Sequence, residues 1–187
     1  MRFFQNTVGR KIIVAVTGQI MVVFVILHLL GNPLNPYTVK LPDISSLKQL
    51  LRVVLLLSFI FHAFFGVQVA IENRTAKPQT YVVREKLRTN FAAENMLWTG
   101  ILVAAFIIYH LFGASMPGAG SGYAVTAIYS GGLTALFLHM YHGIASFFQT
   151  IGCNNERTIP VIERIGKGMA VILFAGYIYI MLLNFII

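Results

Sequence analysis

An all-α membrane protein is the fold class this sequence predicts, and three observations predict it. The chain has 187 residues, of which 57% are hydrophobic and 11% charged. Its mean hydropathy is +0.76, whereas charged residues alone make up about a quarter of an ordinary soluble domain. The apolar residues gather into five runs near residues 11–31, 49–71, 95–114, 124–150 and 166–187, each about the ~20 residues that a helix needs to cross a bilayer. Finally, the basic residues stand at the ends of these runs rather than in a stripe. The net charge of +8 therefore follows the positive-inside pattern and not a nucleic-acid surface. One domain is expected over 1–187, with four helices forming a core and a fifth beside it.

The first run follows Arg2, Arg10 and Lys11. It is too long for a signal peptide, and Gly31-Asn32-Pro33 is no small-residue cleavage site, so this span is expected to stay attached. The first connection carries Pro33, Pro36 and Pro42, and the third, from Ser115 to Tyr123, carries Pro117 and three glycines without a charge; both read as outer loops. The second connection holds Arg74, Lys77, Arg84, Lys86 and Arg88. From Pro78 to Glu94 it reads as a short surface helix and a docking surface for a soluble partner. Arg157, Arg164 and Lys167 occupy the fourth connection, so eleven bases stand on one side against Lys40, Lys48 and Arg52 on the other. The N-terminus is thus expected in the cytoplasm and, after five spans, the C-terminus outside.

Two patterns recur. Thr-Gly, nine residues, His-Leu, one residue, Gly occurs at Thr17, Gly18, His28, Leu29 and Gly31, and again at Thr99, Gly100, His110, Leu111 and Gly113. His followed four residues later by Gly occurs at His62 and Gly66, and at His139 and Gly143. Ionisable side chains inside a span are costly, so two matched pairs call for a ligand, and imidazoles facing one another across a bundle suit haem iron. At 1.5 Å per residue, His28 and His110 fall roughly 27 and 22 Å from the cytoplasmic edge, and His62 and His139 roughly 18 to 22 Å. Helix direction and repeat copy together pair His28 with His110 and His62 with His139. Four axial ligands and two b haems are expected.

His142, one turn from His139, competes for the same role. Registering the repeat on the following glycine selects His139 and leaves His142 as a supporting or quinone-side polar group. The glycines at three or four residues share the histidines' faces and leave room for a flat ring, although close helix packing also uses small residues. Thr17 and Thr99, eleven residues before their histidines, continue the interior face. Arg10, Lys11 and Arg88 are candidate propionate partners as well as positive-inside charges, the second being the simpler role. For Asp43, Asn32 and Asn35 a solvated loop is favoured over a quinone pocket, and Trp98 is equally an interfacial anchor.

Other chemistries find little here. There is no Gly-rich phosphate loop, Cys-x-x-Cys pair, His-Glu-x-x-His helix or Gly-x-Ser-x-Gly elbow. Cys153 is the only cysteine, too few for a disulfide, an iron–sulfur cluster or structural zinc. The six acidic residues all lie in connections or at helix ends, which removes the usual relay group of a proton pump.

Gly9-Arg10-Lys11 with Thr17-Gly18, His28-Leu29-Leu30-Gly31-Asn32, Phe61-His62 with Gly66, Leu97-Trp98-Thr99-Gly100 leading to His110-Leu111, and His139-Met140-Tyr141-His142-Gly143 with Ser146, Phe147 and Gln149 resemble the single-chain cytochrome b558 subunit of bacterial succinate dehydrogenases and fumarate reductases. The resemblance covers almost the whole chain. It implies five helices around two b haems, with axial roles on His28, His62, His110 and His139. The His62/His139 haem would lie nearer an iron–sulfur subunit and the His28/His110 haem farther out. It further implies flavoprotein and iron–sulfur partners on the cytoplasmic face, a multi-pass place in the bacterial cytoplasmic membrane and electron exchange with menaquinone or another quinone. No dicarboxylate chemistry would reside in this chain. Where some relatives place a glutamate two residues before the fourth histidine this chain has Phe137, so no equivalent proton route is expected. The alternatives are the haem b anchor of a hydrogenase or formate dehydrogenase, and a small transporter whose histidines bind a metal or proton.

Overall fold

The structure, a computed structural model, describes residues 4–32, 45–76, 91–112, 122–153 and 155–186. All six regular elements among them are helices: α1 (Thr7–Leu30), α2 (Ser45–Thr75), α3 (Phe91–Glu94), α4 (Met96–Phe112), α5 (Gly122–Thr150) and α6 (Ile159–Ile186). The loops expected over 33–44 and 113–121, and the greater part of the surface helix expected from Pro78 to Glu94, lie outside the described residues. Of that surface helix, α3 is the described part.

Local sequence sets the helix ends. The side chain of Asn6 accepts a 3.0 Å hydrogen bond from the Val8 amide, satisfying one of the four orphan donors of α1. Asn155 does the same before α6, accepting from the Arg157 and Thr158 amides at 3.0 and 2.9 Å. Beyond α5, Gly152 takes φ +76°, and its amide bonds Gln149 O at 3.3 Å while the Cys153 amide bonds Phe148 O at 3.0 Å. These are the paired bonds of a left-handed glycine stop. Since a Cβ in that region costs about 1–2 kcal/mol, Gly152→Ala is expected to lower the unfolding free energy by about that amount, measurable by thermal unfolding in detergent.

Among the described residues three helices have the length and apolar content to cross a membrane, at Thr7–Leu30, Gln49–Thr75 and Ile159–Leu183. Two of the five expected spans fall short of that standard for separate reasons. The apolar α4 has 17 residues, ending at Phe112, and the residues that follow lie outside the described ones. α5 has 29, but Tyr129, Ser130, Thr134, His139, Tyr141 and His142 dilute its hydropathy, because this helix sits at the centre of the bundle and not at its edge. Outward faces carry large apolar side chains, among them Leu56, Phe64, Leu102, Ile108 and Ile172, all exposed. That much exposed apolar surface suits lipid rather than water.

α1 packs on α2, α4 and α6 both pack on α5, and α1 also meets α5. α1 and α2 run antiparallel and are tied at one end, where Arg10 pairs with Glu72 at 2.5 Å and Thr7 Oγ1 donates to the same carboxylate at 3.1 Å. A buried cluster of Leu29, Met140, Ile144, Ala170, Leu173 and Ile180 joins α1, α5 and α6. At Gly166 the backbones of α5 and α6 come so close that a Cβ would lie 3.3 Å from the Ala145 nitrogen. Tyr177 of α6 donates its hydroxyl to Val25 O at 2.7 Å, which sets α6 along α1 with its start beside the start of α1. Arg10, Lys11, Arg74, Arg157, Arg164 and Lys167 therefore stand at one end of the bundle, with Arg52 at the other.

Candidate functional site

Between α1, α2, α4 and α5 lies a cavity of ≈ 1670 Å³, larger than the about 300–1,000 Å³ of a single small-molecule pocket. Its lining follows a seven-residue period on each helix. On α1 the stripe is Lys11, Gly18, Val25 and Asn32, with Val14, Met21 and His28 beside it. On α2 it is Arg52, Phe59, Gly66 and Asn73, with Leu55, His62 and Val69. Ala93, Gly100 and Ile107 lead to and along α4, flanked by Met96, Val103 and His110. α5 presents Tyr129, Leu136, Gly143 and Thr150, with Val125, His139 and Ser146. Heptad spacing keeps one face of each helix turned to its neighbours, and here that shared face encloses space.

All four repeated histidines line this cavity, and their rings meet in two pairs. His28 and His110 have centroids 6.1 Å apart at 85°, and His62 and His139 have centroids 5.9 Å apart at 75°. Metal–imidazole bonds of ~2 Å on opposite sides of one ion hold two ring centroids about 6 Å apart. Among the described residues no three His, Cys, Asp or Glu side chains converge as a metal group. The four repeated histidines thus meet two at a time.

The Thr-Gly half of the first motif holds the histidine of the second. His62 Nδ1 lies 2.9 Å from Val14 O, an acceptor only, so Nδ1 carries the proton and Nε2 keeps its lone pair. Thr17 Oγ1, which itself donates to Ile13 O at 2.6 Å, stands 3.5 Å from the same Nδ1. In the second copy Thr99 Oγ1 donates to Met96 O at 3.1 Å and lies 3.3 Å from His139 Nδ1. The hydroxyl proton being spent, Thr99 can only accept, which leaves Nε2 of His139 equally bare. A Cβ on Gly18 would stand 2.8 Å from His62 Cε1, and one on Gly100 3.1 Å from His139 Cε1. These two glycines admit the rings. The sequence marked them by repetition, but their contact with the opposite histidine belongs to the packing.

Elsewhere the site departs from the sequence reading in detail. Gly66 and Gly143 line the cavity, and Gly66 has nothing within 4 Å of where a Cβ would be. Gly31 instead closes α1 with its amide on Leu27 O at 2.8 Å, and Gly113 lies outside the described residues. Lys11 lines the cavity, whereas Arg10 is engaged with Glu72; Arg88, Asn35 and Asp43 lie outside the described residues. Arg52 and Arg74, which sequence reasoning did not single out, line it too. Each mouth consequently has a base and an amide, Lys11 and Arg74 with Asn73 at one and Arg52 with Asn32 at the other, and the first also carries the carboxylate of Glu94. His142 also reaches the cavity. Phe137 turns away, against Phe174 at 5.0 Å. Trp98 is exposed on α4.

Comparison with family models, curated proteins and solved structures finds no match.

Proposed function

We propose that this chain is the di-haem cytochrome b membrane anchor of a bacterial succinate:quinone oxidoreductase, a succinate dehydrogenase or fumarate reductase. The observation that carries the haem reading is the pair of imidazole pairs, each at about 6 Å, facing one cavity from alternate helices. Three further features support it. Nδ1 of His62 and His139 is committed to the protein, leaving Nε2 for iron. Gly66 leaves open space on the cavity side of α2, with nothing within 4 Å of where a Cβ would be, and Gly143 lines the same cavity. Lys11, Arg74 and Asn73 at one mouth and Arg52 and Asn32 at the other suit carboxylate-bearing edges, such as those of a porphyrin.

Haem held by His28 with His110 and by His62 with His139 would supply one-electron transfer. The chain's own part is placement. Thr17, Val14 and Gly18 of α1 orient His62, and Thr99 and Gly100 of α4 orient His139, on the side of Lys11 and Arg74. His28 and His110 stand nearer Asn32 and Arg52, so two one-electron sites follow one another between the mouths. Phe24 and Tyr177 stack on His28 at 5.4 and 6.3 Å, holding the plane of that ring. In this reading the helices make five spans, the basic end faces the cytoplasm and carries the flavoprotein and iron–sulfur partners, and menaquinone or another quinone exchanges electrons with the chain.

The assignment to succinate and fumarate rests on the sequence resemblance, and the test is of partners. The complex solubilised from its native membrane is expected to retain a flavoprotein and an iron–sulfur subunit, and its b haem absorbance is expected to rise when succinate is added. A nickel or molybdenum partner, with reduction by hydrogen or formate and none by succinate, would move the chain to a different respiratory complex.

A further inference from the structure

The three hydrogen-bonded histidines of the cavity are not held alike. His62 and His139 lean on α1 and α4 through a backbone carbonyl or a threonine whose own proton is already spent. His110 leans on a phenol: its Nδ1 lies 3.0 Å from Tyr129 Oη. Tyr129 belongs to the cavity-facing stripe of α5, and two rings of α4 pack against its own. Phe106 of α4 meets it edge-on at 5.3 Å and Tyr109 at 6.3 Å. Phe106 in turn lies against Gly132, where any Cβ would collide with its ring. The close approach of α4 and α5 at this glycine thus locks Phe106, Phe106 braces Tyr129, and Tyr129 meets His110.

Resting on the haem reading above, we propose that Tyr129 is a positioning residue for His110 that tunes one of the two irons and not the other. With Nε2 of His110 on iron, Nδ1 carries the proton and donates it to Tyr129 Oη. That bond fixes the ring's rotation and raises the basicity of Nε2, which favours the oxidised iron. Removing the hydroxyl leaves the ring in place but weakens this push, so the iron held by His28 and His110 takes up an electron more readily. The iron held by His62 and His139 has no contact with Tyr129 and keeps its affinity.

The test is a redox titration of b haem absorbance in the purified complex carrying Tyr129→Phe. Haem content is expected to stay at two per chain. The redox equilibrium of one haem is expected to shift toward reduction by about tenfold, ~59 mV for one electron, with the other unmoved. Thr99→Val is expected to give the complementary pattern, moving only the component that Tyr129→Phe leaves alone. If Tyr129→Phe costs one haem, Tyr129→Gln, which restores an acceptor oxygen, is expected to return it. Unchanged or equally shifted components in Tyr129→Phe, movement of the same component by both variants, or failure of the glutamine rescue would each overturn the proposal. A wild-type complex without haem would instead remove the functional reading beneath it.

Discussion

Replacing His139 by alanine is expected to leave the chain folded with one b haem in place of two, and to lower succinate-to-quinone electron transfer by at least about 100-fold, the upper end of the range for supporting residues alone. The fold survives because no buried polar group loses its only partner. Thr99 keeps its bond to Met96 O at 3.1 Å, and the space vacated by the ring opens into a cavity already present. His139 faces His62 alone among the four repeated histidines, so the haem lost is theirs and the one between His28 and His110 remains. His142→Ala, one turn away, is expected to keep both. Haem extraction and the reduced-minus-oxidised spectrum of each variant check this, and loss of a haem in His142→Ala with retention in His139→Ala would reverse the ligand assignment.

Gly18→Val is expected to lose the same haem with all four histidines intact. Its Cβ would lie 2.8 Å from His62 Cε1, closer than real Cβ atoms come to a neighbour, and its methyl groups extend farther into the ring's space. Overpacking of this kind costs about 1–3 kcal/mol, and the softest response is rotation of His62 away from Val14 O. Gly100→Val meets His139 in the same way from 3.1 Å, so substitutions on two different helices converge on one cofactor. Gly168→Val is the control, an exposed helical glycine with nothing within 4 Å. Haem content per chain reads all three, and two haems retained in both Gly18→Val and Gly100→Val would remove the cradle from the account.

These two substitutions also mark where the sequence stopped being readable. The four repeated histidines, their division into two pairs and the helical class were legible because a costly residue recurring at fixed spacing has few physical explanations. The seven-residue spacing of Arg52, Phe59, Gly66 and Asn73 and of Lys11, Gly18, Val25 and Asn32 is in the sequence as well, but only the packing of the helices shows that it lines a cavity and brings Arg52 to its mouth. What spacing within a helix does not contain is which neighbour fills the space. Thr17 and Gly18 share a face with His28, yet they serve His62, because α1 and α2 lie antiparallel and bring the middle of α1 beside the middle of α2. Tyr129 escaped for the same reason: its partner lies nineteen residues away across a connection, and no repeat copies it. Arg10 looked like a free base at the bilayer edge, and Glu72, 62 positions on, has claimed it.

The measurement that bears most directly on the central claim is haem stoichiometry with spin state on the detergent-solubilised wild-type chain in its native complex. Two b haems per chain, both low-spin as two imidazole ligands require, is the predicted result. No haem, a single haem, or a high-spin iron lacking its second imidazole would contradict it.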